Sequence, residues 1–391
     1  MDKILFPFKQ GKLLNTLFLS NIFISFHYAL IIYVNSSYLN NFFSETQVST
    51  LYILGSIIDT VLLLYASKIL EKIGNYKFII YTVLIEFIAT LVIAISNSPF
   101  FIGLFFLTHM VVISLIYFNM DIFIENVSKD ESITGSVRAT YMTIANITIF
   151  LSPLLVSAIL INNNYFYVYL TSSIFMIPLY FFAKRFKKIG GVKVHHIKIK
   201  ETILEYIKNS DLYNIFVSQF LLQFFYAYMI VYTPLYLTKY IGFSWQEVGI
   251  MFTIMLLPFV LLEIPVGELS DLKYGEKEFL TVGFIIIGLS TIFISFITAK
   301  VFWIWATALF ITRIGASLVE ASSESYFFKQ VDKNKTDLIS FFRISRPVSF
   351  IVAPLLATLA LEFIPFQYIF IIIGSIMIVG AHYSLALKDT K

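Results

Sequence analysis

Three ionisable side chains fall inside a stretch of the sequence that is otherwise apolar enough to lie in a lipid bilayer. Phe302–Phe328 contains Arg313, Glu320 and Glu324. Because an α-helix advances about 100° per residue, these three side chains and Ser317 lie on one face. A charge in the middle of a bilayer costs about 2.5 kcal/mol or more. The face is therefore expected to turn towards a bundle interior or a water-filled cavity.

Arg313 is one of only five arginines in a chain with 23 lysines. A guanidinium group has a planar set of fixed donors that binds carboxylates and anions in a way that lysine cannot copy. Two interpretations stay open, a structural ion pair to a neighbouring helix and a place on a substrate or proton pathway. Since Glu320 lies about 10 Å away along the helix axis, Arg313 is expected to find its counter-charge on another helix or on a ligand.

The composition defines the class of protein. Of 391 residues, 58% are hydrophobic and 13% are charged, which predicts an all-α polytopic membrane protein. The absence of cysteine excludes disulfides and thiolate chemistry. No phosphate-binding GxxxxGK[ST] motif occurs, which excludes ATP hydrolysis by this chain. The sequence therefore predicts no enzyme activity, no catalytic residue, no cofactor, no metal site and no nucleic-acid partner.

Apolar runs of about 20 residues indicate membrane crossings. The first run, after Met1–Lys12, is too long for a signal peptide and is not followed by a cleavage site, so it is interpreted as a crossing. Twelve crossings are predicted, at 13–38, 47–67, 77–97, 100–126, 136–161, 165–183, 212–238, 246–269, 279–299, 302–328, 339–361 and 366–387. They will be called segments one to twelve.

The positive charges predict the orientation. Apart from Lys239, Lys300 and Arg313, every Lys and Arg lies on the connections of one side, on the termini, or towards the segment ends that adjoin those connections. Cytoplasmic loops are enriched in these residues. Both termini are therefore expected in the cytoplasm, with the chain in the cytoplasmic (inner) membrane.

Two halves joined by a basic linker are predicted, with a first six-helix bundle at 1–183, a linker at 184–210 and a second bundle at 211–391. The linker contains adjacent His195 and His196, but no acidic ligand is near them, so a metal role is rejected in favour of a solvated, lipid-facing segment. A short surface helix is expected at Glu201–Ile207.

The two halves repeat each other at a slowly increasing offset. Phe26–Ala29 aligns with Phe224–Ala227, Gly74 with Gly275, and Thr108-His109 with Thr312-Arg313. The Ser152–Leu155 stretch aligns with Ala353–Leu356, so that Pro153 matches Pro354. Bent helices at matched prolines suit a rocking motion of two bundles, while ordinary proline tolerance in membranes is the alternative.

The repeat and one loop resemble the major facilitator superfamily over nearly the whole chain. Pro265–Asp271 reads PVGELSD and is similar to that family's loop between segments eight and nine, with one extra residue before Gly275. The first-half copy around Gly74 is degenerate, and His109 stands where many exporters of the family have an arginine. The resemblance implies twelve transmembrane helices in two pseudo-symmetric bundles, with segments one, four, seven and ten around a central cavity.

The loops imply a cytoplasmic gate, in which acids and bases pair across helix ends and separate on opening. Lys72 is expected near Asp121 or Glu125, and Lys273 near Glu324, although exposed pairs of little energetic weight are an equal alternative. The predicted gate residues are Glu71, Lys72, Gly74, Gly267, Asp271, Lys273, Asp121, Glu125 and Glu324. The glycines are expected to allow close approach of the helices.

Polar residues spaced by three and four positions lie on one face of the segments that would line the cavity. The predicted pathway residues are Arg313, Glu320, Ser317, Asp59, Asn21, Ser25, Tyr28, Gln219, Gln223, Tyr226, Tyr117 and His27. For the uncharged ones, hydrogen bonding between helices is the commoner use. His27 is interpreted first as a packing histidine and second as a proton carrier.

Carboxyl groups away from water can take and release protons near neutral pH. Glu320, Asp59 and Glu263 are therefore candidates for proton coupling, whereas Glu86 has no evident partner in the sequence. The favoured function is a monomeric, proton-coupled exporter of a small amphipathic, drug-like solute, acting as an antiporter by alternating access. The alternatives are a nutrient or sugar importer and a non-transporting sensor or partner-binding protein.

Overall fold

The computed structural model describes residues 12–127, 131–160, 164–189, 199–270, 274–331 and 336–388, and it is helical. Each of the twelve long helices contains a span long and apolar enough to cross a membrane, which confirms the predicted number. They are α1 Lys12–Ile32, α2 Glu45–Ile73, α3 Asn75–Ile95, α4 Pro99–Val127, α5 Glu131–Ile159, α6 Phe166–Ala183, α7 Ser210–Leu235, α8 Trp245–Leu269, α9 Glu276–Ile294, α10 Phe302–Gln330, α11 Thr336–Leu361 and α12 Ile369–Leu385.

Local sequence explains where several of these helices begin and end. α8 begins with a capping box, in which Ser244 Oγ accepts from the Glu247 backbone N–H and Glu247 Oε2 accepts from the Ser244 N–H at 2.8 Å. α7 begins at Asn209, whose side chain accepts from two backbone N–H groups. α1 ends at Ile32, earlier than predicted, and a separate short helix follows at Asn35–Leu39.

The chain divides into two compact units. The first contains Met1–Ser44 and Leu54–Val194, and the second contains Glu45–Ile53 and His195–Lys391. The first turns of α2 group with the second unit. Glu45 accepts from Lys239 Nζ at 2.5 Å, and the Ser49 and Tyr232 hydroxyls are 2.7 Å apart.

The surface helix predicted at Glu201–Ile207 is present as Ile199–Lys208 and docks on the second unit. Its Tyr206 is buried between Phe216 and Phe341, and its hydroxyl donates to the Leu338 carbonyl at 2.9 Å. Burial, followed by the charge of Glu205, raises the pKa of Tyr206 above its ordinary value, so the hydroxyl keeps the proton that it donates. His195 and His196 lie outside the described residues.

Gly74 and Gly275, which the repeat aligns, adopt nearly the same backbone conformation at the same place. Each precedes the first residue of a helix, with φ 81° and ψ 148° at Gly74 and φ 79° and ψ 168° at Gly275. This region of φ and ψ is essentially restricted to glycine. A Cβ on Gly74 would contact nothing within 4 Å, so the backbone angle, and not the expected close approach, requires glycine there.

We expect Gly74→Ala to lower the free energy of unfolding by about 1–3 kcal/mol, because alanine in this conformation is strained. Thermal unfolding of the detergent-solubilised protein measures this change. Gly267→Ala is the matched control, since Gly267 has ordinary helical surroundings with nothing within 4 Å of its Cβ position. Equal unfolding temperatures for Gly74→Ala and the unmodified protein would contradict the expectation.

Helices of the second unit approach each other closely at glycines that were not singled out in the sequence. A Cβ on Gly315 of α10 would lie 2.6 Å from the Gly283 carbonyl oxygen of α9. Likewise, a Cβ on Gly374 of α12 would lie 2.5 Å from the Gly288 carbonyl oxygen. Small residues let helices approach closely in membranes, and here they hold α9 between α10 and α12. Gly267, which was expected to serve this purpose, does not.

Candidate functional site

The polar face predicted on segment ten is present on α10 of the second unit. Arg313 and Ser317 are buried, and Glu320 and Glu324 are half-buried. The Ser317 hydroxyl donates to the Ile314 carbonyl of its own helix at 2.9 Å. The two acids and the arginine are therefore the groups of this face with functional potential.

Two aromatic rings of α7 lie against the Arg313 guanidinium. Its central carbon is 5.0 Å from the Phe225 ring centre and 5.7 Å from the Tyr226 ring centre. A guanidinium over an aromatic face gains about 0.5–2 kcal/mol, with the larger values where water is excluded. Arg313 is 2% exposed. The two aromatic rings are thus a main component of the surroundings of Arg313. The sequence predicted a counter-charge for this arginine and did not predict these rings.

Tyr226 connects the arginine to the nearest acid of the same face. Its ring lies beside Arg313, and its hydroxyl donates to Glu320 Oε2 at 2.7 Å. Its ring also meets Phe259 of α8 edge-on at 6.2 Å. The expected separation of Arg313 and Glu320 along α10 is therefore bridged by a side chain of α7, so that cation, ring, hydroxyl and carboxylate form one continuous arrangement.

Two amides continue this arrangement along α7. Gln219 is buried and accepts from the Ser323 hydroxyl of α10 at 2.9 Å, while Gln223, one turn on, is half-buried. The hydrogen bond of Gln219 is a link between helices, the commoner use of a polar side chain in membranes. Tyr226, Gln223 and Glu320 are therefore the half-buried polar residues of the part of this arrangement next to Arg313.

Glu324, the predicted gate residue near the end of α10, is paired with a residue other than the expected Lys273. Glu324 accepts a bidentate pair of hydrogen bonds from Arg343 of α11, at 2.6 and 3.2 Å. Nearby, Glu276 at the start of α9 accepts from Lys329 and from the Ser325 hydroxyl. Asp271 and Lys273 lie outside the described residues, so their gate roles stay predictions. Arg343 was not identified from the sequence.

The first unit places its predicted gate residues at helix ends. Glu71 and Lys72 are exposed in the last turn of α2, and Asp121 is exposed on α4. The side chain of Glu125 lies outside the described part of the chain. The pairing of Lys72 with Asp121 or Glu125 stays a prediction.

Other predicted residues of the first unit form contacts between helices. Asn21 donates to the Tyr141 carbonyl of α5 at 2.7 Å and accepts from Ser25 at 3.2 Å. Tyr28 of α1 meets Tyr117 of α4 edge-on at 5.8 Å. These contacts fit the structural interpretation that the sequence left open.

Asp59 is buried on α2 and accepts from the Ser114 hydroxyl of α4 at 2.7 Å. Its carboxylate is therefore placed by another helix of the same unit. Glu263 is another acid that was expected to serve in proton coupling. Its side chain lies outside the described residues.

Glu86, which had no evident partner in the sequence, has two. His27 Nε2 lies 2.8 Å from Glu86 Oε1, and His109 Nδ1 is also in hydrogen-bond contact with that oxygen. All three residues are buried, and their nitrogen and oxygen atoms lie within 4.8 Å of one another. The sequence did not reveal this cluster, because three separate segments contribute to it.

Comparison with known proteins identifies the family. The sequence model of the Major Facilitator Superfamily matches residues 17–246 and 215–390. The chain belongs to the Major Facilitator Superfamily. It is thus a multi-pass membrane transporter rather than an enzyme.

Solved structures share the fold of this chain. The crystal structure of the nucleoside transporter NupG and that of a single-residue variant of it each give a TM-score of 0.74. Sequence identity is 12%, and the match covers 96% of this chain and 99% of that chain. No curated protein sequence matches this chain.

Within this Major Facilitator Superfamily chain, the two units make corresponding contacts at repeat-related positions. In the second unit Arg313 packs on Phe225, and in the first unit the aligned residues His109 and His27 meet edge-on at 5.9 Å. The permanent cation of one unit is therefore replaced by a titratable side chain in the other. The neighbouring Glu86 has no counterpart in the aligned motifs, which is why the repeat did not reveal it.

Proposed function

We propose that this transporter exports a small amphipathic solute across the cytoplasmic membrane in exchange for protons. The proposal includes alternating access of the two halves, with both termini in the cytoplasm. The distribution of Lys and Arg supports the orientation. The solute site is proposed to include Arg313, Tyr226 and Glu320.

The observation that carries the proposal is the contact of Tyr226 with both Arg313 and Glu320. A buried cation, two aromatic rings and a carboxylate in one membrane-embedded arrangement offer contacts to a solute that has both an apolar ring and a polar group. Charged groups in membrane spans normally mark pathways for solutes, ions or protons.

Glu320 is proposed to carry the coupling proton, since it is the acid within this arrangement. We expect Glu320→Gln to abolish accumulation driven by a pH gradient, because the amide can still accept from Tyr226 but cannot bind a proton. Accumulation of ethidium by proteoliposomes with an acidic lumen measures this change. The expected level is that of unmodified protein whose gradient has been collapsed with an ionophore.

Glu362→Gln is the matched control for this experiment, because Glu362 is exposed outside the spans and its loss should leave accumulation unchanged. The Glu320→Gln variant should still exchange ethidium across the membrane when no pH gradient is present. Gradient-driven accumulation equal to that of the unmodified protein would refute the role of Glu320. Absence of ethidium movement in every variant would instead reject ethidium as a member of the solute class.

A nucleoside is the second candidate solute, and its transport would be inward with protons. The name of the similar structure NupG, a nucleoside transporter, favours it. Aromatic rings of α7 could stack on a base, and the Gln223 amide and Glu320 carboxylate could bind ring and sugar groups. Uridine accumulation with an acidic exterior, together with no ethidium accumulation with an acidic lumen, would show that the transporter is a nucleoside importer and not an exporter. Flux of neither probe, together with none from a metabolite library, would favour a sensor.

A further inference from the structure

The His27–Glu86–His109 cluster of the first unit is not used by the proposed function. It lies on three helices, with His27 on α1, Glu86 on α3 and His109 on α4, and it is held from a fourth helix by Ser172 of α6. His27 and Glu86 are fully buried, and His109 is 2% exposed. Its chemistry is therefore decided by these side chains and not by solvent.

The hydrogen bonds of Ser172 determine which nitrogen of His27 carries hydrogen. The Ser172 hydroxyl donates to the His27 carbonyl oxygen at 2.8 Å, so its hydrogen is not available to the imidazole. Both Ser172 oxygens, the backbone carbonyl and Oγ, face His27 Nδ1 at 2.9 Å. Since both can only accept there, Nδ1 must donate. In a neutral imidazole the other nitrogen, Nε2, then has a lone pair and no hydrogen.

That lone pair faces an acid oxygen. His27 Nε2 is 2.8 Å from Glu86 Oε1, a separation at which a bare nitrogen and an ionised carboxylate would repel each other. His109 can donate its own Nδ1 hydrogen to the same oxygen as a neutral imidazole. One additional proton, between His27 Nε2 and Glu86 Oε1, therefore makes every contact of the cluster favourable.

The net charge of the cluster also supports one additional proton. Without the additional proton the cluster has one buried negative charge, and with it the cluster is neutral. An uncompensated buried charge is strongly disfavoured. Glu86 Oε2 is buried with no hydrogen-bond partner among the described residues, so that oxygen gives an ionised carboxylate no support.

Other charged groups of the surrounding helices are distant or negative. On α3 the nearest is Lys77, about 13 Å along the axis, and on α4 Asp121 is about 18 Å away. On α1 Lys12 is about 22 Å away. α6 contains no charged residue, and none occurs among the α5 side chains that the structure describes, from Thr140 onwards. The acid of α2, Asp59, accepts from Ser114 of α4 and brings no positive charge to the cluster.

We propose that His27, Glu86 and His109 form a binding site for one proton inside the first unit, separate from the Arg313–Glu320 arrangement. The folded protein holds this proton at neutral and mildly alkaline pH. The unfolded chain does not, because its histidines and acids release theirs near pH 6.5 and 4.3. Folding is therefore linked to proton uptake at a site that shares no residue with the proposed solute site.

Thermal and denaturant unfolding in detergent between pH 7 and pH 9 tests this proposal. The folded protein binds one proton more than the unfolded chain in this window, so the unfolding equilibrium should shift tenfold per pH unit towards unfolding as the pH rises. Glu86→Gln should remove this component. Its amide can donate to His27 Nε2 and accept from His109 while binding no proton. Glu362→Gln, the same chemical change at an exposed acid outside the spans, should keep the slope of the unmodified protein.

Equal pH slopes for the unmodified protein and Glu86→Gln would overturn the proposal. If Glu86→Gln does not fold, the unmodified protein still decides the question. Nitrogen-15 spectra of labelled histidine, with infrared detection of carboxyl groups, should show either a doubly protonated His27 or a protonated Glu86 at pH 7.5. An ionised Glu86 beside two neutral histidines would refute the site. So would a stoichiometric transition metal that is lost in Glu86→Gln, since a metal would then take the place of the proton.

Discussion

Replacing Arg313 by lysine is expected to reduce solute flux by about tenfold or more, while the protein stays folded. Lysine keeps the charge but loses the planar guanidinium that lies on Phe225 and Tyr226. The interaction with the two rings is worth about 0.5–2 kcal/mol, and 1.4 kcal/mol corresponds to tenfold. Initial rates of ethidium and uridine movement in proteoliposomes, normalised to folded protein, measure this effect.

Arg185→Lys is the matched control for this substitution. Arg185 is exposed, and its guanidinium carbon lies 5.6 Å from the Phe182 ring centre. The same chemical change is therefore made at an aromatic contact on the surface. Its flux should equal that of the unmodified protein. If Arg313→Lys also transports at the unmodified rate, Arg313 is a packing residue and the proposed site loses its cation.

Replacing Gly315 by valine is expected to destabilise the second unit by about 1–3 kcal/mol or more, because overpacking forces helices apart. The added atoms would meet the Gly283 carbonyl oxygen and the Ile287 backbone nitrogen, at 2.6 and 2.8 Å from the Cβ position. Neither is the end of a flexible side chain, so α9 and α10 must shift. Denaturant unfolding in detergent, together with the yield of monodisperse protein, measures the loss.

The comparison for Gly315→Val is Gly267→Val, at a glycine of α8 with open space around its Cβ position. Both variants add the same β-branched side chain within a helix, so helix propensity cancels and the difference reports packing. Similar unfolding midpoints for the two variants would show that the α9–α10 contact tolerates separation. A large difference between the two unfolding midpoints would show that the α9–α10 contact at Gly315 is important for the packing of the second unit.

The membrane spans could be predicted because length and hydropathy act locally. Each helix of this chain needs only its own apolar residues to enter a bilayer. The surface helix at Ile199–Lys208 was predictable for a similar reason, since its apolar residues recur at helical spacing. The repeat aligned Gly74 with Gly275, two of the glycines with positive φ, although it did not give the physical reason for them.

Contacts between helices could not be predicted in the same way. The partners of Glu86 come from α1 and α4, and nothing in a single segment fixes the rotation and depth at which such helices meet. Phe225 gave no polar signal, yet it lies against Arg313. Arg343 was counted as a cytoplasmic charge, whereas the structure pairs it with Glu324. Side-chain pattern identified the polar faces, and packing determined their partners.

The shared backbone angle at Gly74 and Gly275 has a consequence for how this gene can change. Every missense change of one nucleotide in a glycine codon adds a side chain at that position. At these two positions every such residue would have to adopt φ near 80° at the start of a helix. Random mutation therefore reaches no unstrained amino acid there.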